Sequence, residues 1–282
     1  MDLFQYDFMQ RAFAAGVVIG IICPLAGIFL VLRGLSLVGD ALSHISLAGV
    51  SAGLLLNINA TVSAMVFAAA GTMGIEFLRR HYEKYAELAI ALTMSAGMAT
   101  AVLLISLGKG STATVMSFLF GSIVAVTTAD VQIITIAGFF VLVSIMVLYK
   151  YLFFIAFDEE GARLAGIPVN AVNIYFTLMT AVTIAVSMRI VGILLVSSLM
   201  TIPAAISLQI ASSFRTAAAA AVVSALISIA AGLILSFHLS LAPGGAIILF
   251  SLMMLLAVMG IKRAARAFIR KKASGRPISA NH

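Results

Sequence analysis

Residues 11–32 read RAFAAGVVIGIICPLAGIFLVL, and after Arg11 the run to Leu32 carries no charge. About 20 such residues cover the ~30 Å hydrocarbon core of a bilayer as one helix. Working outward, comparable runs fall near residues 37–57, 60–78, 87–107, 131–157, 171–188, 190–210, 216–237 and 244–261. In lipid a helix satisfies its own backbone polar groups, so these runs predict an all-α polytopic transmembrane helix bundle. The short links at 57–59 and 188–190 are compatible with re-entrant turns, which leaves eight or nine spans.

Composition points the same way. Of 282 residues, 63% are apolar and 10% charged, with mean hydropathy +1.19, against about 45–50% and about 25% in soluble domains. Little chain is left outside the membrane, so the expected organisation is one transmembrane domain, 1–262, followed by a basic cytoplasmic tail, 263–282.

The net charge of +7 is concentrated where topology explains it. Lys262, Arg263, Arg266, Arg270, Lys271 and Lys272 follow the last run, and basic residues favour the cytoplasmic side. With the N-terminus outside and nine spans, Arg33, Arg79, Arg80, Lys84, Arg163 and Arg215 join them there, leaving Lys109 and Arg189 outside. No basic stretch is interleaved with aromatics as a nucleic-acid groove requires, so nucleic acid is not an expected partner. MDLFQYDFMQ at the start has Asp2 and Asp7 and no basic residue, the wrong polarity for a cleaved signal peptide.

Most other features read as packing. Cys23 is the sole cysteine, so one chain can build neither a disulfide nor a thiolate metal cage. Lys150 snorkels to the cytoplasmic interface, with residues 151–157 lying partly along it. Pro24 and Pro203 interrupt the backbone bonding of their spans. Met94 and Met98 read as gap-fillers, His81 and His282 as solvated, and Asp130 and His238 as facing outside.

Asp40 differs, because it is the acidic residue that lies clearly within an apolar run, and an intramembrane carboxylate needs a partner. His44, four residues on, lies about 40° around the helix and about 6 Å along it, so both face one way. A carboxylate and an imidazole suit zinc or manganese rather than copper(I). Two ligands make half a site, which a second copy related by a twofold axis would complete. The competing reading is structural: an Asp40–His44 hydrogen bond, or pairing of Asp40 with Arg33. Ser43 and Ser46 are expected to bond to backbone.

A second distinctive stretch is cytoplasmic, residues 157–168, FDEEGARLAGIP. Acidic residues at its start and Gly166 with Pro168 at its end predict a short helix. Leu164 and Ile167 then offer apolar plugs for a groove on another protein, and a solvated loop is the alternative.

Leu32-Arg33, Ser36-Leu37-x-Gly39-Asp40-Ala41-Leu42-Ser43-His44 and Leu47-Ala48-Gly49-Val50 together resemble the signature of the manganese/zinc-type bacterial ABC permease family. Phe157-Asp158 with residues 162–169 is similar to that family's coupling helix, and residues 192–196 through 202–205 to its late-span motif. The resemblance implies a homodimeric permease in the bacterial plasma membrane, served by ATP-binding subunits and an extracytoplasmic metal-binding protein. It implies that Asp40 and His44 touch the ion, with Asp158, Glu159, Arg163, Leu164 and Gly166 coupling to the ATPase. The N-terminal stretch and Ile45-Ser46-Leu47-Ala48 look nearer the zinc branch, so zinc is favoured over manganese.

The chain is not expected to be an enzyme or to hold a resident cofactor. Gly108-Lys109-Gly110-Ser111 lacks Walker A spacing, and H-E-x-x-H is absent. The alternative from another class is an ion-coupled carrier or channel using the same Asp40 and His44.

Overall fold

The computed structural model describes residues 5–82, 85–108 and 112–274. Lys84, Lys109 and residues 275–282 of the expected tail, with His282, lie outside the described residues, as do the side chains of residues 80, 86, 112 and 266–274. Eleven helices are described: α1 Asp7–Leu32, α2 Ser36–Leu56, α3 Ala60–His81, α4 Ala86–Leu107, α5 Thr112–Phe120, α6 Thr128–Phe157, α7 Glu159–Leu164, α8 Val169–Val191, α9 Ile193–Ile210, α10 Phe214–Leu239 and α11 Pro243–Ser274. Among the described residues, nine of them are long and apolar enough to cross a membrane. Of the eight or nine spans expected, these residues thus offer nine candidates.

α1 runs through the middle, against α6, α9 and α10, while α2 is held between α3 and α4 and also meets α8 and α9. Within lipid, burial of apolar surface does not drive helices together, so close backbone approach and interhelical hydrogen bonds must. The α2–α3 seam shows both. A Cβ on Gly49 would lie 2.7 Å from Cα of Ala64, and one on Gly53 would lie 2.9 Å from Cα of Ala60. Ser63 Oγ bridges the seam by donating to the Gly49 carbonyl at 2.7 Å.

Punctuation follows local chemistry. Asn57, in the left-handed region with φ 55°, stops α2, and the Asn59 side chain accepts from Thr61 and Val62 to start α3. Pro24 and Pro203 lie inside α1 and α9. The break expected at 188–190 falls instead at Gly192, a single residue with φ 88° between α8 and α9. α6 continues through Lys150 to Phe157 without interruption, rather than turning along the interface. α11 likewise continues past residue 262 to Ser274.

The two ends of the bundle separate the polar groups. Arg33, Arg79 and Glu159 line one cleft of about 240 Å³ where the ends of α1, α3 and α6 meet α7. This is the end that charge bias assigns to the cytoplasm. Asp130 and Arg189 meet at the opposite end, Nε to Oδ1 3.4 Å. Asp130 lies at the expected outer end but is not open to solvent there. It is 4% exposed, and its carboxylate caps α6 by accepting from Thr127 N and Oγ1 at 3.0 and 2.7 Å.

Candidate functional site

Asp40 and His44 lie in the first half of α2 and both are half-buried. Nδ1 of His44 is fully buried and has no hydrogen-bond partner among the described residues. A buried polar nitrogen without a partner is costly and wants a donor or a ligand. Neither structural alternative is formed: among the described residues no hydrogen bond links Asp40 to His44, and Asp40 makes no ion pair with Arg33. Arg33 instead lies near Glu159, Arg79 and Glu76; burial lowers its affinity for the proton, and Glu159 opposes that.

Of the neighbouring serines, Ser43 bonds its own helix, Oγ donating to the Gly39 carbonyl at 2.9 Å. Ser46 departs from that expectation, since its Oγ is buried with no partner. It lies nearly opposite His44 around α2, so it does not share the His44 face. Among the described residues, no three His, Cys, Asp or Glu side chains gather as a metal-holding group. One protomer therefore presents Asp40 and His44 and no third such ligand beside them.

The remaining histidines are elsewhere. His81 ends α3, exposed and stacked on Phe77 with centroids 5.8 Å apart. His238 Nδ1 lies 2.9 Å from the Ile234 carbonyl at the end of α10. Cys23 is buried beside Ser187, Sγ to Oγ 3.3 Å.

The cytoplasmic segment folds as a short helix. Asp158 caps α7, accepting from Gly161 N at 2.8 Å, and Glu159 pairs with Arg163 at 3.2 Å. Gly166 ends the turn with φ 81°. Leu164 is 89% exposed, a large apolar side chain offered to solvent at the tip. Ile167 is not available in the same way, being half-buried against the protein's own core.

One element escaped the sequence reading. α5, at nine residues, is too short to span and its apolar stretch 115–120 was the only signal. Phe118 of α5 is buried with the Arg189 guanidinium 4.5 Å above its ring.

Residues 5–262 match the ABC 3 transport family. The chain belongs to the ABC 3 transport family. As a member of that family it is a multi-pass bacterial plasma-membrane permease of the metal-importer type, a transport subunit and not an enzyme. It is 38% identical over 265 residues to the "Probable metal transport system membrane protein" of Treponema pallidum, covering 94% of this chain and 99% of that one. It is 30% identical over 271 residues to the manganese transport system membrane protein MntC of Listeria innocua, 96% of each. Among solved structures it resembles PsaBC from Streptococcus pneumoniae in complex with Fab, with TM-score 0.83, 28% identity and coverage of 91% and 92%.

Proposed function

We propose that two copies of this chain form the membrane pathway of an ATP-driven importer of a divalent transition metal, with Asp40 and His44 of each copy facing the ion. The observation that carries this is the orphaned, buried His44 Nδ1 one helical turn from Asp40, on a face where a single protomer supplies no third ligand. Two Asp and two His meet the needs of a four-coordinate zinc or the protein share of a manganese shell.

Transport by alternating access follows if ATP-binding subunits grip α7, through Asp158, Glu159, Arg163, Leu164 and Gly166, and their closure moves the paired α2 helices. An extracytoplasmic metal-binding protein delivers the ion at the opposite end. Residues 1–262 constitute the permease domain, and 263–282 a basic cytoplasmic tail suited to anionic lipid.

Residue patterns near the N-terminus and at Ile45-Ser46-Leu47-Ala48 favour zinc, whereas relatives such as MntC carry manganese in their names. Of the two, manganese has the wider support across the chain's length. The test is radiometal uptake in metal-depleted cells, native against Asp40→Ala, with and without the cognate ATPase. Saturable manganese uptake requiring both Asp40 and the ATPase supports the proposal, and zinc-selective uptake would restore zinc. Uptake independent of the ATPase would turn the chain into a channel or ion-coupled carrier.

A further inference from the structure

One face of α2 changes its exposure along its length. Leu37, Asp40, His44, Ala48, Ser51 and Leu55 form a stripe about 80° wide. Leu37 is exposed, Asp40 and His44 are half-buried, Ala48 and Ser51 are buried, and Leu55 is exposed again. The covered section begins one turn, ~6 Å, beyond His44. There Leu47 and Ala48 belong to one buried cluster with Ala101 of α4, Phe118 of α5, Met188 of α8 and Ile193 of α9. Beyond it, toward the outer end, opens a cavity of about 820 Å³ lined by Ser51, Leu54, Asn57, Leu104, Val115 and Leu119. Phe118, 2% exposed, shares that cluster with Leu47 and Ala48, which stand on α2 between His44 and the cavity-lining Ser51.

What seats Phe118 is specific. The Arg189 guanidinium lies 4.5 Å from the ring centroid, within range of attraction to the aromatic face. Arg189 is in turn held by Asp130, and its carbonyl accepts from Ser122 N at 3.1 Å just past the end of α5. Asp130 also neutralises a charge that would otherwise repel a cation passing this way.

We propose that Arg189, held by Asp130, is a latch that seats Phe118 as the outer plug over the Asp40/His44 pair. Arg189 is a positioning residue and does not touch the ion; its release unseats Phe118 and joins the outer cavity to the pair. This rests on the reading of Asp40 and His44 as the ion-facing pair, but its test does not require transport.

The experiment measures labelling of His44→Cys by a membrane-impermeant maleimide, using the full chain in right-side-out membrane vesicles on a Cys23→Ala background. Labelling is expected to be slow when the latch is intact and about tenfold faster with Arg189→Gln or Phe118→Ala. Phe118→Tyr, which keeps the ring and its bulk, should leave it slow. In parallel chains that retain His44 and Cys23, buried Cys23 should stay unlabelled in every variant. Unchanged labelling in Phe118→Ala and Arg189→Gln overturns the latch, and so does labelling of Cys23, which would mean general loosening. If Arg189→Gln does not accumulate, Phe118→Ala against Phe118→Tyr decides alone. Normal uptake by Asp40→Ala together with the expected labelling would instead remove the functional reading and leave the latch standing.

Discussion

Gly192 and Leu119 approach so closely that a Cβ on Gly192 would lie 2.5 Å from the Leu119 carbonyl oxygen. The backbone of Gly192, φ 88° and ψ 143°, is in a region essentially restricted to glycine, and another residue there is strained by about 1–3 kcal/mol. Gly192→Ala should therefore push the end of α5 off the α8–α9 junction and lower the apparent melting temperature in detergent by several degrees. An unchanged melting temperature at normal yield would mean the junction relaxes freely.

Asp40→Ala and His44→Ala should each abolish metal uptake while the chain still inserts and assembles, since the pair lies half-buried on one face of α2. Groups that hold one ion act as a unit, so the double variant should be scarcely worse than either single one. Uptake and equilibrium metal binding measured across the three variants check this; additive partial losses would argue for two separate roles.

Leu164→Ala should separate folding from coupling. The side chain is 89% exposed, so stability should change by under about 0.5 kcal/mol. ATP-dependent uptake should nevertheless fall severalfold with metal binding retained. Normal uptake would show that α7 is not gripped through Leu164.

Lys262 of α11 donates to the carbonyl and the side-chain oxygen of Gln209, in the last turn of α9, which has no basic residue of its own. A cation there satisfies a terminal carbonyl and complements the helix dipole. Lys262→Met should cost about 1–2 kcal/mol, read as a lower melting temperature, with Lys262→Arg restoring most of it.

Much of this was readable in the chain. The nine spans follow from run length and hydropathy, and Asp40 with His44 from the cost of a carboxylate in lipid and a four-residue spacing. α7 was legible through Asp158, Gly166 and Pro168. α5 was not, because a nine-residue apolar helix has neither the length of a span nor the polarity of a loop. The α8–α9 break was misplaced because one glycine, flanked by Val191 and Ile193, gives no polar signal. Asp130 and Ile167 were misread for a common reason: a residue at a span end looks solvated until the neighbouring helix that covers it is known.

α6 has 30 residues, about 45 Å of helix at 1.5 Å per residue. Fitting that length within a ~30 Å hydrocarbon core would take a tilt near 48°, steeper than the ~0–40° seen for transmembrane helices. The surplus of about 15 Å must pass into the headgroup layers, and α7, one residue after Phe157, is placed there against the ends of α1 and α3. Bilayer thickness thereby sets how deep α7 sits among the headgroups, so the same permease in a thicker membrane would present it less to a cytoplasmic partner.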